Sequence, residues 1–206
     1  SISKFENREI DILVGTQMVS KGLDFDHVTL VGVMNADQLI FHPGFRSFER
    51  AFQLLIQVAG RAGRRSKKGR VVIQTADPTH PVIQNVMQNN FKAMYERELL
   101  TRRQFLYPPF ARVIEVQLRH KEVQRVEKAA LFLANELRKK EQGKVLGPAT
   151  PFVSRVNNFF IRDVLIKSTL QTKDLAGMKN ALQQIVEDMK AIPELKGVWI
   201  HVNVDP

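Results

Sequence analysis

Two consecutive prolines mark a boundary in the chain. Pro108 and Pro109 lie in the segment YPPF at 107–110, and neither offers a backbone N–H to a helix or an inner strand. At 206 residues the chain is long enough for two compact cores of about 100 residues each. We therefore predict a first domain at 1–78, a connecting helix and linker at 79–109, and a second domain at 110–206.

The first segment has the pattern of an α/β unit. Apolar, β-branched runs at 10–14 and 28–34 predict strands covered on both faces, and RVVIQT at 70–75 predicts another strand. Apolar residues at helical spacing from Phe48 predict a helix that ends near Gly60. This order belongs to part of a parallel sheet and is too short for a complete doubly wound domain.

The segments after the first domain change period. Apolar positions from Ile83 through Val86, Asn90 and Met94 toward Leu99 predict one long amphipathic helix. Beyond the prolines, strands are predicted at 112–119, 144–147, 159–168 and 198–204. Two helices between them carry apolar stripes at Val126, Ala130, Leu133 and Leu137, and at Leu175, Met178, Leu182, Ile185 and Met189, the second with Thr172 as N-cap. The order βαββαβ predicts a ferredoxin-like α+β domain.

Composition restricts the partners of the chain. It carries 31 Lys and Arg against 21 Asp and Glu, a net charge of +10, which favours a polyanion such as nucleic acid, although a merely basic protein remains an alternative. The absence of cysteine excludes disulfides and cysteine-ligated metals. No apolar run reaches the roughly 18 residues of a membrane span and no secretory signal opens the chain, so we expect a cytoplasmic protein. The start at Ser1 suggests a fragment.

The positive charge is densest just after the predicted helix of the first domain. The basic residues of this cluster, within ten residues that hold no acid, are Arg61, Arg64, Arg65, Lys67, Lys68 and Arg70. A solvated basic turn is the simplest explanation. The spacing GRAGR at 60–64 favours an anion site, because glycines admit close backbone approach and arginines three apart project on the same side. Two converging guanidiniums repel each other, so an oxyanion such as phosphate should be shared between them.

A second polar loop, GTQMVSKGLDF at 15–25, follows the first predicted strand. Its polar side chains are Thr16, Gln17, Lys21 and Asp24, with Gly15 and Gly22 among them. Ligands of open α/β sheets lie beyond the carboxyl ends of strands. Hydroxyl, amide and lysine groups suit contacts to a phosphate backbone, and a carboxylate could accept from a ribose hydroxyl or orient an arginine. Each residue taken alone is more often ordinary loop chemistry.

The ordered pair GTQMVSKGLDF and QVAGRAGR resembles motifs V and VI of superfamily-two helicases, in the second RecA-like lobe. In that family the motif VI glutamine and arginines face ATP bound between two lobes, and the last arginine is the finger on the γ-phosphate. The resemblance implies catalytic roles for Gln57, Arg61 and Arg64. It further implies that Gly22 and Asp24, with both arginines, line the nucleotide site, and that Thr16, Gln17 and Lys21 contact DNA.

Other segments narrow the resemblance. NADQLIFHPGFRSFERAFQLL, YPPF, LGPATP and the final VDP are similar to the PriA family of primosomal replication-restart helicases. The resemblance implies a parent protein that hydrolyses ATP, unwinds DNA 3′ to 5′ at stalled forks and supports primosome assembly. Its implied partners are forked and single-stranded DNA, single-strand-binding protein and the machinery that loads the replicative helicase, with no membrane. Another superfamily-two translocase is an alternative that the βαββαβ tail disfavours.

Several family motifs are absent. The sequence contains neither a phosphate-binding G-x-x-x-x-G-K-[ST] loop nor an acidic DExH box. ATP and Mg²⁺ would therefore bind through a first lobe that this chain lacks, and the Zn²⁺ of the parent family has no ligands here. We expect the isolated chain to be inactive, so a non-catalytic DNA- or protein-binding module is the other alternative.

Aromatic and basic residues mix near the strand predicted at 159–168. The group consists of Phe152, Arg155, Asn157, Asn158, Phe159 and Arg162. Such a composition could stack a base or grip a phosphate, which makes Arg155 and Arg162 candidate DNA contacts. The alternative, that the phenylalanines are core and the arginines are solvated, remains open.

Overall fold

The computed structural model describes residues 2–16, 27–62, 69–140, 143–169 and 175–206. It divides into two compact units, Ser1–Glu98 and Leu99–Pro206. The finer division, with a linker at 79–109, stays a prediction. None of the described helices is long and apolar enough to cross a membrane.

The first unit is built around a short parallel strand pair. Its elements are α1 (Ile2–Glu6), β1 (Leu30–Val33), α2 (Asp37–Ile40), α3 (Ser47–Ala59), β2 (Arg70–Ile73), α4 (Pro81–Met87) and α5 (Phe91–Gln104), the last of which continues into the second unit. Strand β1 pairs with β2 from Leu30↔Arg70 to Val33↔Ile73. The parallel pair joined by a helical crossover confirms the α/β character expected of this segment.

Helix α3 supplies much of the core of the first unit. Phe52 and Leu55 on its inner face are buried with Ile40 of α2 and Ile83 of α4. The helix ends at Gly60, as predicted, where the backbone N–H of the glycine donates to the Ile56 carbonyl oxygen at 2.9 Å. The periodic sequence therefore specified this helix and its buried face correctly.

The predicted strand at 10–14 is wrong. These residues form no strand, and the side chains of Ile12 and Val14 are 78% and 88% exposed. A strand forms only where a neighbour pairs its backbone groups, and among the described residues β1 pairs with β2 alone. The predicted double coverage of 28–34 is also wrong, because Leu30 is 60% exposed.

The long helix predicted from Ile83 to Leu99 is two helices. Helix α4 ends at Met87 and α5 begins at Phe91. Between them Asn89 has a φ of 50°, and the Asn90 side-chain oxygen accepts from the Ala93 N–H at 3.0 Å. Asparagine readily adopts left-handed backbone and caps helix starts, so the break has a local cause that the apolar stripe concealed.

The second unit is a ferredoxin-like α+β fold, as predicted. Its elements are β3 (Ala111–His120), α6 (Val123–Lys139), β4 (Lys144–Ala149), β5 (Arg155–Val156), β6 (Phe159–Thr169), α7 (Leu175–Ala191), a 3₁₀ turn (Pro193–Leu195) and β7 (Trp199–Val204). The strand order is β4-β6-β3-β7, with antiparallel neighbours. The two-residue β5 pairs with β6 and was not foreseen as a strand.

The helices cover one face of this sheet. Inward-facing residues of the central strands, Val116, Leu118, Val164 and Ile166, are buried with residues of α6 and α7. The predicted stripe of α6 is buried at Val126, Ala130, Leu133 and Leu137, and that of α7 at Met178, Leu182, Ile185 and Met189. The side chain of Leu175 and all of Thr172 lie outside the described residues. On edge strand β7, Val204 is 61% exposed.

Residues of the linker region cover one end of the opposite face. The Lys167 ammonium donates to the Phe105 carbonyl oxygen at 2.8 Å and lies 3.5 Å from the centroid of the Tyr107 ring. Burial lowers the pKa of this lysine, and neighbouring Lys144 adds to the effect. The contact fixes the segment before the prolines onto the sheet.

Candidate nucleotide-facing and DNA-facing surfaces

Helix α3 presents Gln57 to solvent on the side opposite its buried residues. Gln57 is exposed, and one turn earlier the Gln53 side chain donates to the Glu49 carboxylate at 3.3 Å. Arg61 follows in the turn after the helix, where its backbone N–H donates to the Val58 carbonyl at 3.1 Å, and its side chain is half-buried. The end of the helix therefore carries an amide and a guanidinium that are four residues apart in the sequence.

Several predicted site residues cannot be placed by the structure. Gln17, Lys21, Gly22, Asp24 and Arg64 lie outside the described residues. Thr16 is described and exposed, at the end of an irregular segment. The roles assigned to these residues, and those of Gln57 and Arg61, stay predictions.

The carboxylate of Asp37, which sequence analysis did not identify, connects α2 to the residues that follow β2. The Asp37 carboxylate accepts from the Thr75 hydroxyl at 2.7 Å and from the Ala76 N–H at 2.9 Å. The hydroxyl bond, followed by the backbone bond, lowers the pKa of Asp37. Its position could have identified it in the sequence, because it follows the apolar run at 28–34 and ligands of parallel sheets lie beyond the carboxyl ends of strands.

The segment after β2 is ordered in the same way. The Asp77 carboxylate accepts from the Thr79 hydroxyl at 2.6 Å and from the Thr79 N–H at 2.9 Å, and the hydroxyl bond leads in lowering its pKa. The His80 ring nitrogen Nδ1 then accepts from the Val82 N–H at 3.2 Å, which caps α4. The carboxyl end of β2 is thus held by local hydrogen bonds to the helices on either side.

The donors at the end of α3 fit a phosphate ligand by their chemistry. An amide and a guanidinium both donate hydrogen bonds, and guanidinium matches phosphate oxygens in a bidentate arrangement. Within the described ranges, no cluster of three His, Asp or Glu could hold a metal ion.

The β5–β6 hairpin presents Arg155. Asn157 and Asn158 form its turn with φ values of 47° and 66°, the left-handed conformation that tight hairpin turns require. The Arg155 guanidinium donates to the Asn158 side-chain oxygen at 3.1 Å, and its central carbon lies 4.9 Å from the Phe160 ring centroid. Arg155 is exposed and oriented by its neighbours. Phe152 is 88% exposed, so it does not belong to the core.

Arg162 has a different environment. Its side chain is 13% exposed and is paired with the Glu127 carboxylate of α6 at 2.5 Å. It also donates to the carbonyl oxygen of Ile161 at 2.8 Å. The two arginines that were grouped in the sequence are therefore separated, one on the hairpin and one bridging the sheet to a helix.

Comparison with known proteins first defines a class. Residues 1–66, which contain α3 and Arg61 of the basic cluster, match the family model "Helicase conserved C-terminal domain". This match agrees with the motif pair in the sequence and with the short parallel strand pair.

The second match is to a particular family. Residues 103–206 match the family model "Primosomal protein N C-terminal domain", and the chain belongs to the PriA family, which confirms the resemblance noted in its sequence. It is 38% identical over 207 residues to the replication restart protein PriA of Bacillus subtilis (strain 168), covering 100% of this chain and 25% of the relative.

Further relatives carry the same name. The Synechocystis protein is 36% identical over 208 residues, covering 100% of this chain and 24% of its own length. The Treponema pallidum protein is 33% identical over 209 residues, covering 100% of this chain and 31% of its own length. The chain thus spans about a quarter to a third of the length of these relatives.

Proposed function

We propose that this chain is part of an ATP-dependent DNA helicase that acts in replication restart in the cytoplasm. Its first unit would supply the motif V and VI half of the nucleotide and DNA site. The observation that carries the proposal is the ordered motif pair, with Gln57 exposed on α3 and Arg61 in the turn that follows. Membership of a family whose relatives are named replication restart proteins supports it.

The residues of the first unit would have different roles in binding ATP and DNA. Gln57, Arg61 and Arg64 would donate to the phosphates of ATP held by a first lobe, with Arg64 as the finger on the γ-phosphate. Gly22 and Asp24 would line the nucleotide, while Thr16, Gln17 and Lys21 would contact the DNA backbone. When bound, Mg²⁺ neutralises charge on the β- and γ-phosphates. Zn²⁺ would belong to another part of the parent protein.

The second unit would contact DNA or partner proteins. Arg155 is the better placed of the two predicted DNA contacts, because it is exposed, whereas Arg162 is engaged with Glu127. A parent enzyme of this kind would translocate 3′ to 5′ on forked DNA. Its protein partners would be single-strand-binding protein and the machinery that loads the replicative helicase.

A chimera tests the assignment of Arg64. This chain would replace the matching quarter of the Bacillus subtilis relative, and DNA-stimulated ATP hydrolysis would be measured for the chimera and for the isolated chain. We expect hydrolysis by the chimera and none by the isolated chain. Arg64→Ala should lower turnover by roughly 10³-fold or more, the usual contribution of an arginine finger.

The control is Arg70→Ala, an exposed arginine of the same basic cluster. It removes the same charge six positions farther along the chain and should leave turnover nearly unchanged. Equal turnover of the Arg64→Ala chimera and the parent chimera would reject the finger assignment.

A further inference from the structure

One end of the sheet of the second unit carries an aromatic pair on the face that the helices do not cover. Phe160 and Ile200 pack against the core under α6 and α7, so their neighbours Phe159 and Trp199 lie on the opposite face. The centroids of the Phe159 and Trp199 rings are 5.6 Å apart with an interplanar angle of 46°. Trp199 is nevertheless 68% exposed, which leaves most of the indole available to a ligand.

Two cations flank this aromatic pair. The Lys121 ammonium lies 5.7 Å from the centroid of the Phe159 ring. Arg119 is directly opposite Trp199 in the pairing of β3 with β7, and directly opposite residues share a face. Positive charge therefore meets aromatic surface on the same end of the sheet.

The position of Arg119 is fixed by its neighbours. Its guanidinium donates from Nε to the Gln117 side-chain oxygen at 2.8 Å, and the Gln117 amide donates to the Asp163 carboxylate at 3.1 Å. The Asp163 carboxylate thus holds Arg119 through the glutamine without direct contact between the charges. Farther along the same face, the Glu115 carboxylate accepts from Asn203 at 3.3 Å.

The opposite end of this face is closed, which limits where a ligand could bind. There Lys167 contacts Phe105 and Tyr107, while Val113 is buried. The end that carries the aromatic pair and its cations is open, since Trp199 there is 68% exposed. Isolated exposed aromatic residues are common on protein surfaces, but aromatic rings bordered by cations characterise surfaces that bind single-stranded nucleic acid.

We propose that Arg119, Lys121, Phe159 and Trp199 form a stacking platform for single-stranded DNA, on which bases stack against the rings while the cations contact the flanking phosphates. The net charge of +10 favours such a polyanionic ligand over an apolar protein surface. Because every base has a π-face, the platform would tolerate any sequence. The choice of DNA rests on the proposed function.

The single tryptophan of the chain makes the platform directly observable, since all indole fluorescence comes from Trp199. The chain would be titrated with an oligothymidine of about 12 nucleotides, within the usual site sizes of ~4–16 nucleotides, at several salt concentrations. We expect saturable quenching of the indole fluorescence. The logarithm of the binding constant should fall linearly with the logarithm of the salt concentration.

Variants separate stacking from charge, with anisotropy of a labelled oligonucleotide as the readout. Trp199→Ala should weaken binding by about 5- to 150-fold, the loss expected for one stacked base, and should leave the salt dependence unchanged. Trp199→Phe should retain most of the binding because a ring remains. Lys121→Ala should reduce the slope of the salt dependence by about one.

The matched control is Tyr95→Ala. Tyr95 is 50% exposed and also belongs to an aromatic pair, with Phe91 at 6.1 Å between ring centroids. The nearby Lys92, however, is paired with Glu96 at 3.9 Å. This variant should bind the oligonucleotide like the parent chain. Thermal unfolding of every variant establishes that it is folded.

Three results would overturn the platform. The first is that folded Trp199→Ala binds the oligonucleotide with an affinity within about twofold of the parent chain. The second is that the oligothymidine does not quench Trp199 fluorescence. The third is that an oligouridine binds more than about tenfold more tightly than the oligothymidine. If Trp199→Ala fails to fold, the platform is tested instead by the salt dependence of binding to Lys121→Ala and by the affinity of Trp199→Phe for the oligonucleotide. Each result leaves the proposed function standing, because that depends on ATP hydrolysis through Arg64.

Discussion

The two compact units differ in how far they enclose their apolar side chains. In the first unit, Leu30 on β1 is 60% exposed and Val72 on β2 is 47% exposed, so the strand pair keeps apolar surface in water. In the second unit, Val116 of β3 and Leu133 of α6 are completely buried in one continuous core. Burial of apolar area is the main stabilising term, so we expect the second unit to be the more stable of the two.

The largest expected effect is a cavity in the core of the second unit. Leu133→Ala, at a position of α6 with no exposure, should lower the free energy of unfolding by about 2–5 kcal/mol. The change would be followed in urea through Trp199 fluorescence, which reports on the second unit alone.

Leu131→Ala is the matched control, because this leucine lies on the same helix and is 50% exposed. It should cost about 0.5 kcal/mol or less, as most surface substitutions do. Equal losses for the two variants would mean that α6 does not bury Leu133 as described.

A smaller effect is expected in the first unit from loss of a helix cap. Asn90→Ala removes the side-chain oxygen that accepts from the Ala93 N–H and should cost about 1 kcal/mol. Amide hydrogen exchange should show the loss of protection at the start of α5. The free energy of unfolding that Trp199 reports for the second unit should change little. A loss there as large as the loss measured by hydrogen exchange in the first unit would show that the two units do not unfold separately.

The smallest expected effects are on acid stability, and they have opposite signs in the two units. The folded-state pKa values of Asp37 and Asp77 are lowered from 3.8, so their contribution is present above about pH 4 and is lost as pH falls through those lowered values. The pKa of Asp163 is raised, mainly by burial. Its effect runs the other way, and the second unit gains stability as pH falls from that raised value to 3.8.

Hydrogen exchange between about pH 5 and pH 3 compares the two units in one sample. Asp37→Asn should flatten the acid dependence of the first unit, and Asp163→Asn that of the second. If the stability of both units changed in the same direction as the pH falls, the assigned directions of these pKa shifts would be contradicted.

The parts of the fold that could be predicted from the sequence are those with a local cause. Helices α3 and α6 each carry their own apolar face, so periodicity alone specified them. The run at 10–14 has the composition of a strand, but pairing with a neighbour decides strand formation, and sequence reasoning could not supply the neighbour. Asn90 was counted in an apolar stripe although its capping side chain ends that stripe.

The candidate sites follow the same rule. Gln57 and Arg61 could be placed at the end of a helix because their motif and the helix are contiguous. Phe159 and Trp199 are 40 residues apart and meet only because β6 and β7 both flank β3. Register between strands is not encoded in a local pattern, so the aromatic pair became visible only in the folded sheet.

The role proposed for Arg61 and Arg64 is to act on the phosphates of ATP during hydrolysis. The most direct test measures kcat and the affinity for ATP separately in the Arg64→Ala chimera. A finger acts on charge that develops in the transition state, so kcat should fall by roughly 10³-fold or more while ATP affinity changes little. Reduced ATP affinity with unchanged kcat would show that Arg64 binds the nucleotide without acting in the transition state.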